Sequence, residues 1–283
     1  MRDQSFENKV DTSADSEQEL SPQPVYERDV DRLPRKLMDK VAIITGGDSG
    51  IGRAVAVHFA REGADVAIIY NDHDEDATTT RRLVEEKGRK ALLIKKDLST
   101  EQACKEAVEE TVKHFGRLDI LVNNAAVQYP QEDIAAITEE QLEKTFRVNF
   151  YSYFFMAKAS LKHLKSGSSI INNASVNAYR GNKLLLDYSS TKGAIVAFTR
   201  SLSGQLAEKN IRVNGVAPGP IWTPLVSSTF EGAQLKEFGK DTPLQRPGQP
   251  AEVATCFVFL ASEDASYLTG QVLHPNGGTI LNT

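Results

Sequence analysis

Between residues 41 and 274, short continuous runs of apolar and β-branched residues alternate with longer stretches whose apolar positions recur at helical spacing. The runs Val41–Thr45, Asp65–Tyr70, Ala91–Lys95, Ile120–Asn123, Ser168–Asn173, Ile211–Ala217 and Gly270–His274 read as strands. Between them lie amphipathic segments such as Asp74–Lys87 and Thr100–Phe115. Strands that are apolar throughout must be covered on both faces, and helices between them supply the cover, so the pattern implies βαβ units in a parallel sheet. Right-handed crossovers then give an α/β, doubly wound, seven-stranded parallel sheet flanked by helices. The strand signal runs without a linker, which predicts a single domain over 37–283, and no internal repeat is visible.

Two stretches break this rhythm. Residues 1–36 are polar, carry Pro22 and Pro24, are acidic from Asp11 to Glu19, and have no apolar core of a signal peptide. They read as a tail, partly disordered or draped over the body. Residues 220–250, rich in Pro and Gly, are too long for a simple connector. They suit a lid, about 221–247, or equally an irregular surface excursion.

Composition narrows the function classes. Of 283 residues, 33 are Lys or Arg and 38 Asp or Glu, a net charge of −5 that gives no reason to expect nucleic acid or an anionic membrane as partner. No apolar run approaches the length of a membrane span. The two cysteines, Cys104 and Cys256, lie far apart in apolar helical contexts and read as free thiols, which fits a cytoplasmic protein. The five histidines lack metal-ligand spacing, so no metal site is expected.

The first strand runs into TGGDSGIGRAVAVHFA, with glycines at 46, 50 and 52 opening a helix. A turn this tight needs residues tolerant of positive φ and a backbone that a ligand can approach closely. The helix N-terminus then offers free N–H groups and the positive end of its dipole to a pyrophosphate. A glycine triplet alone is weak, but a strand before it and a helix after it point to dinucleotide binding.

A second constellation lies downstream. Tyr188 and Lys192 sit one helical turn apart on one face. Such a pair is either an exposed pair with no task or an acid/base site. Ser175, thirteen residues earlier at the end of a predicted strand, faces the same crevice at the carboxyl ends of the strands, which favours the second reading.

Taken in order, TGGDSGIG (45–52), KDL (96–98), NNAA (123–126), Asn149 in FRVNFYS, Ser175 in INNASVN, Tyr188-x-x-x-Lys192 and PGPIWT (218–223) resemble the motifs of the short-chain dehydrogenase/reductase family, from about residue 37 to the C-terminus. ITGGDSGIGRA, APGPIWTPL, RPGQP and the tail are most similar to its bacterial general-stress-protein and aldehyde-reductase group. The resemblance implies a Rossmann-type fold and an oxidoreductase interconverting a small carbonyl and an alcohol by hydride transfer, with Asn149, Ser175, Tyr188 and Lys192 as catalytic tetrad. A free phenol titrates near pKa ~10, too high for exchange at neutral pH, and a nearby ammonium favours the phenolate. Ser175 would hold the substrate oxygen, Lys192 also the nicotinamide ribose, and Asn149 a relaying water.

The same resemblance assigns cofactor contacts to Gly46, Ser49, Gly50, Ile51 and Gly52 in the turn, to Tyr70 and Asn71 after strand two, and to Asp97 and Leu98 at the adenine. Asn123 and Ala125 follow strand four, and Pro218, Gly219, Ile221 and Thr223 would grip the carboxamide. Ala126 stands where the family usually has glycine, which predicts negative φ there. Neither the acidic residue that chelates an adenosine ribose nor the basic one that takes a 2′-phosphate is present, so NADP and NAD both remain open, with dual use. Gln128, Tyr129, Asn177, Tyr179 and Trp222 are the candidate substrate residues. Their mix of rings and amides suits a small polar carbonyl or polyol. A glucose/ribitol-type dehydrogenase and a non-catalytic dinucleotide-binding sensor or scaffold are the rival readings, and the resemblance further implies a homotetramer.

Overall fold

The computed structural model describes residues 35–229 and 237–281. Most of the tail assigned to 1–36, and residues 230–236 of the lid, lie outside the described residues. In chain order the elements are β1 (Val41–Thr45), α1 (Gly50–Arg61), β2 (Asp65–Tyr70), α2 (Asp74–Glu85), β3 (Ala91–Lys95), α3 (Glu101–Phe115), β4 (Ile120–Asn123), α4 (Glu139–Phe146), α5 (Ser152–Ser160), β5 (Ser169–Asn173), α6 (Asn177–Arg180), α7 (Leu186–Leu206), β6 (Arg212–Val216), α8 (Pro224–Ser227), α9 (Pro250–Ala261) and β7 (Val272–Leu273).

The seven strands form one parallel sheet in the order β3-β2-β1-β4-β5-β6-β7. Chain order reverses between β1 and β4, where Ala42 pairs with Ile120 and Ile44 with Val122, and this opens a crevice at the carboxyl ends of the strands. Neighbouring side chains on each strand point to opposite faces. Ile44 and Ile68 join Val55, Phe59, Val253 and Phe257 of α1 and α9 on one side. Ile43, Ile69 and Leu121 join Cys104, Val108, Met156 and Leu202 of α3, α5 and α7 on the other.

Strand positions match the pattern of the sequence, with short ends. β7 has two residues because Gly270 leaves the extended region (φ +73°) and Pro275 has no N–H to continue a ladder. The helix expected from Asp74 to Lys87 stops at Glu85, shortly before Gly88 turns left-handed at φ +75°. Thr100 caps α3, its hydroxyl accepting from the Ala103 N–H at 3.3 Å. At the far end of α9 the Arg212 guanidinium donates to the Leu260 and Ser262 carbonyls at 2.6 and 3.0 Å, closing orphan acceptors of the last turn. The helical segment that carries Asn149 is divided. α4 and α5 are joined by a π turn, Arg147–Tyr151, that holds Asn149 at its centre. Among the described residues no helix is long and apolar enough to cross a membrane.

Candidate active site

A cleft of about 870 Å³ lies over the carboxyl ends of β1, β2, β4, β5 and β6. Its floor is the glycine turn. Gly46 and Gly50 have φ of +60° and +51°, and a Cβ on Gly52 would stand 1.9 Å from the Gly46 carbonyl oxygen, so no other residue fits there. No side chain caps α1 at Ser49 and its first turn has no acidic residue, leaving donors and the positive dipole end toward the cleft.

Asn124 stitches this turn to the neighbouring strand. Its Nδ2 donates to the Thr45 and Gly46 carbonyls, both at 3.0 Å, and its Oδ1 accepts from Asn173 Nδ2 at 2.8 Å. Asn123, assigned to the cofactor from the sequence, points the other way. It is fully buried, donates to Asn172 Oδ1 at 2.9 Å, and does not line the cleft. The strand's alternation carries the reason: Asn123 is the last β4 residue and faces the layer of α5, whereas Asn124 has left the sheet. Gly52 likewise lies beneath the turn rather than on the cleft surface. Gly46, Ser49, Gly50, Ile51, Tyr70, Asn71, Asp97, Leu98, Ala125, Pro218, Gly219, Ile221 and Thr223 all line it. Ala126 has no positive φ, as the substitution for glycine predicted.

Ser175, Tyr188 and Lys192 come together in the wall of the same cleft. Ser175 follows β5 and hydrogen-bonds the Tyr188 hydroxyl. Lys192, one turn along α7, is 1% exposed and donates from Nζ to the Asn173 carbonyl at 2.7 Å. Burial pushes the Tyr188 phenol up to about 12, with the Ser175 hydrogen bond acting in the lowering direction, and pushes Lys192 down to about 7. Desolvation is the largest influence at both groups.

Asn149 is buried and does not line the cleft. Its Oδ1 accepts the Val127 N–H at 2.8 Å, and its Nδ2 donates to the Val127 carbonyl at 2.9 Å and to Thr191 Oγ1 at 3.2 Å. With both Nδ2 protons committed, the Asn149 side chain is a clamp between α7 and the segment after β4. Asp187, which the sequence reading passed over, is fully buried beside Tyr188. Its carboxylate meets Thr145 Oγ1 at 2.8 Å and Gln141 Nε2 at 3.0 Å, and accepts the Tyr188 N–H at 2.8 Å.

Of the substrate candidates, Gln128, Tyr129 and Asn177 line the cleft, and Gln128 Nε2 donates to Thr229 Oγ1 at 2.9 Å. Tyr179 and Trp222 do not line it. Tyr179 packs edge-on to His274 with ring centres 4.8 Å apart, and Trp222 lies exposed.

A nicotinamide dinucleotide fits these residues. The turn has no room for a Cβ where a pyrophosphate would approach, and Asn173 Oδ1, at the cleft wall, keeps a buried acceptor without a protein donor. Among the described residues no group of three or more His, Cys, Asp or Glu is placed to hold a metal ion.

Comparison with known proteins agrees with this reading. Residues 46–279 match the family described as Enoyl-(Acyl carrier protein) reductase. The chain is 56% identical over 267 residues to General stress protein 39 of Bacillus subtilis (strain 168), covering 94% of this chain and 93% of that protein. It is 56% identical over 254 residues to NADPH-dependent aldehyde reductase 1, chloroplastic, of Arabidopsis thaliana, covering 87% and 88%. A solved short-chain dehydrogenase from Burkholderia cenocepacia J2315 in complex with NADP superposes with a TM-score of 0.82 at 31% identity, over 86% of this chain and 99% of that one.

Proposed function

The chain belongs to the short-chain dehydrogenase/reductase family and is an NAD(P)-dependent oxidoreductase, and on that premise we propose that it reduces small polar aldehydes or ketones with Tyr188 as the proton donor. The observation that carries this reading is the buried Ser175–Tyr188–Lys192 cluster lining the same cleft as the glycine turn. A bound dinucleotide would supply the hydride and, in its oxidised form, a positive charge that favours the phenolate.

The remaining chemistry falls to side chains. Ser175 donates to the carbonyl oxygen and stabilises charge developing on it. Tyr188 gives that oxygen its proton, and in the reverse direction takes it back as phenolate. Lys192, held by the Asn173 carbonyl, stabilises the phenolate when charged and is placed for the nicotinamide ribose. Asn149 holds the wall that begins at Val127 against α7. Gln128, Tyr129 and Asn177 offer amide and phenol groups to a polar substrate, and a relative named as an aldehyde reductase supports a carbonyl as that substrate.

We take 221–247 as the lid, supported by the Thr229–Gln128 hydrogen bond that ties its start to the opposite wall. Residues 1–36 stay assigned as a tail. Exposed Phe154 and Leu142, with Phe154 against Phe198 at 5.5 Å, support self-association across α5 and α7 into a homotetramer. Two unpaired thiols suit a reducing, cytoplasmic setting. Replacing Tyr188 by Phe tests the central claim: turnover on a carbonyl panel with NADH and NADPH should fall about 10²–10⁴-fold while nucleotide binding persists. Retained turnover would refute it.

A further inference from the structure

Among the described residues no carboxylate forms an ion pair with Lys192. Burial is the one influence acting on its basicity, and its hydrogen bond goes to a neutral carbonyl, that of Asn173. A buried ammonium in such a place needs other electron density. Two rings supply it. Nζ lies 5.4 Å from the centre of the Tyr188 ring and 5.5 Å from that of Tyr153, the second residue of α5. Tyr153 is completely buried, and its hydroxyl donates to the same Asn173 carbonyl at 3.3 Å. That carbonyl is itself fixed, because the Asn173 side chain is tied through Asn124 to the glycine turn.

We propose that Tyr153 is a positioning residue for proton transfer, its ring and hydroxyl holding the Lys192 ammonium against the Asn173 carbonyl and beside Tyr188. The inference rests on the reading of Tyr188 as acid and base. A plain packing role would be served by any apolar side chain of similar size, whereas this one depends on the electron density of the ring face. The titratable groups that face Lys192 are the phenols of Tyr188 on α7 and Tyr153 on α5; β5 and the residues after it present the neutral Asn173 and Ser175.

The test replaces Tyr153 by Phe and then by ring-fluorinated phenylalanines, which drain the ring face without changing its shape. The pH dependence of kcat/KM for alcohol oxidation is followed, with circular dichroism and nucleotide titration as controls of folding. Less density over the ammonium means less charged Lys192 and a less stabilised phenolate, so the activating limb moves to higher pH with each fluorine, by about half a pH unit at trifluorination. Tyr153→Leu, which removes the ring, shifts it further the same way. A limb that stays fixed through the series while Tyr188→Phe is inactive overturns this inference alone. Turnover surviving in Tyr188→Phe overturns the underlying site reading, and this inference with it.

Discussion

Lys192 lies one helical turn beyond Tyr188 with its Nζ 5.4 Å from the ring centre, and both side chains are buried. A charge placed there opposes folding. The ordinary lysine value of 10.5 falls to about 7 in the folded protein, so between those pH values the unfolded chain binds the extra proton. Stability therefore rises with pH across that window, and the full cost is present below about pH 7. Tyr188 adds nothing to the slope until the unfolded phenol ionises near its ordinary 10.0. Lys192→Met is expected to be inactive and yet more stable at pH 7, by about 1–3 kcal/mol, with a flatter dependence of stability on pH from 7 to 10. Denaturant unfolding at several pH values checks this, and a variant less stable than the wild type at pH 7 contradicts it.

Two glycines separate steric necessity from helix propensity. An added Cβ at Gly52 meets the Gly46 carbonyl oxygen at 1.9 Å, whereas Gly204, inside α7, has nothing within 4 Å. Gly52→Ala should cost about 3 kcal/mol and abolish nucleotide binding, because the turn must open. Gly204→Ala should stabilise by about 0.5–1 kcal/mol through the unfolded chain and helix propensity. Thermal unfolding and nucleotide fluorescence titration read both.

The sheet was legible because its strands are buried on both faces, so Val41–Thr45 or Ile120–Asn123 leave little choice of period. The glycine turn was legible for a comparable reason, since its geometry admits no side chain at Gly52. Harder to read were polar residues whose direction depends on the last residue of a strand. Asn123 and Asn124 are chemically identical neighbours, yet one is locked to Asn172 and the other to Thr45 and Gly46. The π turn at Asn149 leaves no mark in hydrophobic spacing, because the apolar positions on either side continue as if one helix were present. Asp187 escaped because a buried carboxylate beside a helix start reads locally as an ordinary acidic first turn.

That π turn yields a third expectation. Asn149 joins Val127 to Thr191, and Thr191 Oγ1 in turn donates to the Tyr188 carbonyl at 2.7 Å. Asn149→Ala leaves the Val127 N–H and carbonyl without their side-chain partners, which should cost about 2 kcal/mol of stability. It should lower kcat more than it raises KM, since the wall and Tyr188 lose their common register. Thr191→Val, which breaks both hydrogen bonds of Thr191 Oγ1 and keeps the Val127 clamp, should have the smaller effect on both. Equal kinetic losses in the two variants would show that Val127 does not matter to the register.

Cofactor choice is decided where β2 ends. Asp72 and Asp76 line that end of the cleft. The Arg53 guanidinium is held by Asp76 Oδ1 at 2.6 Å, Thr80 Oγ1 at 2.9 Å and the Asp48 carbonyl at 3.0 Å. An adenosine ribose bound at the end of β2 places any 2′-phosphate among these groups. The carboxylates repel it, and the Arg53 guanidinium is already neutralised. Asp76→Ala removes a like charge and releases Arg53 together, so kcat/KM with NADPH relative to NADH should rise about five- to tenfold, most strongly at low ionic strength. Adding Arg53→Ala to that variant should cancel the larger share of the gain, because the remaining effect is the lost repulsion alone. A cofactor ratio that does not move in Asp76→Ala means the 2′-phosphate does not meet this turn, and selection then rests with other cleft residues such as Ser49 and Asn71.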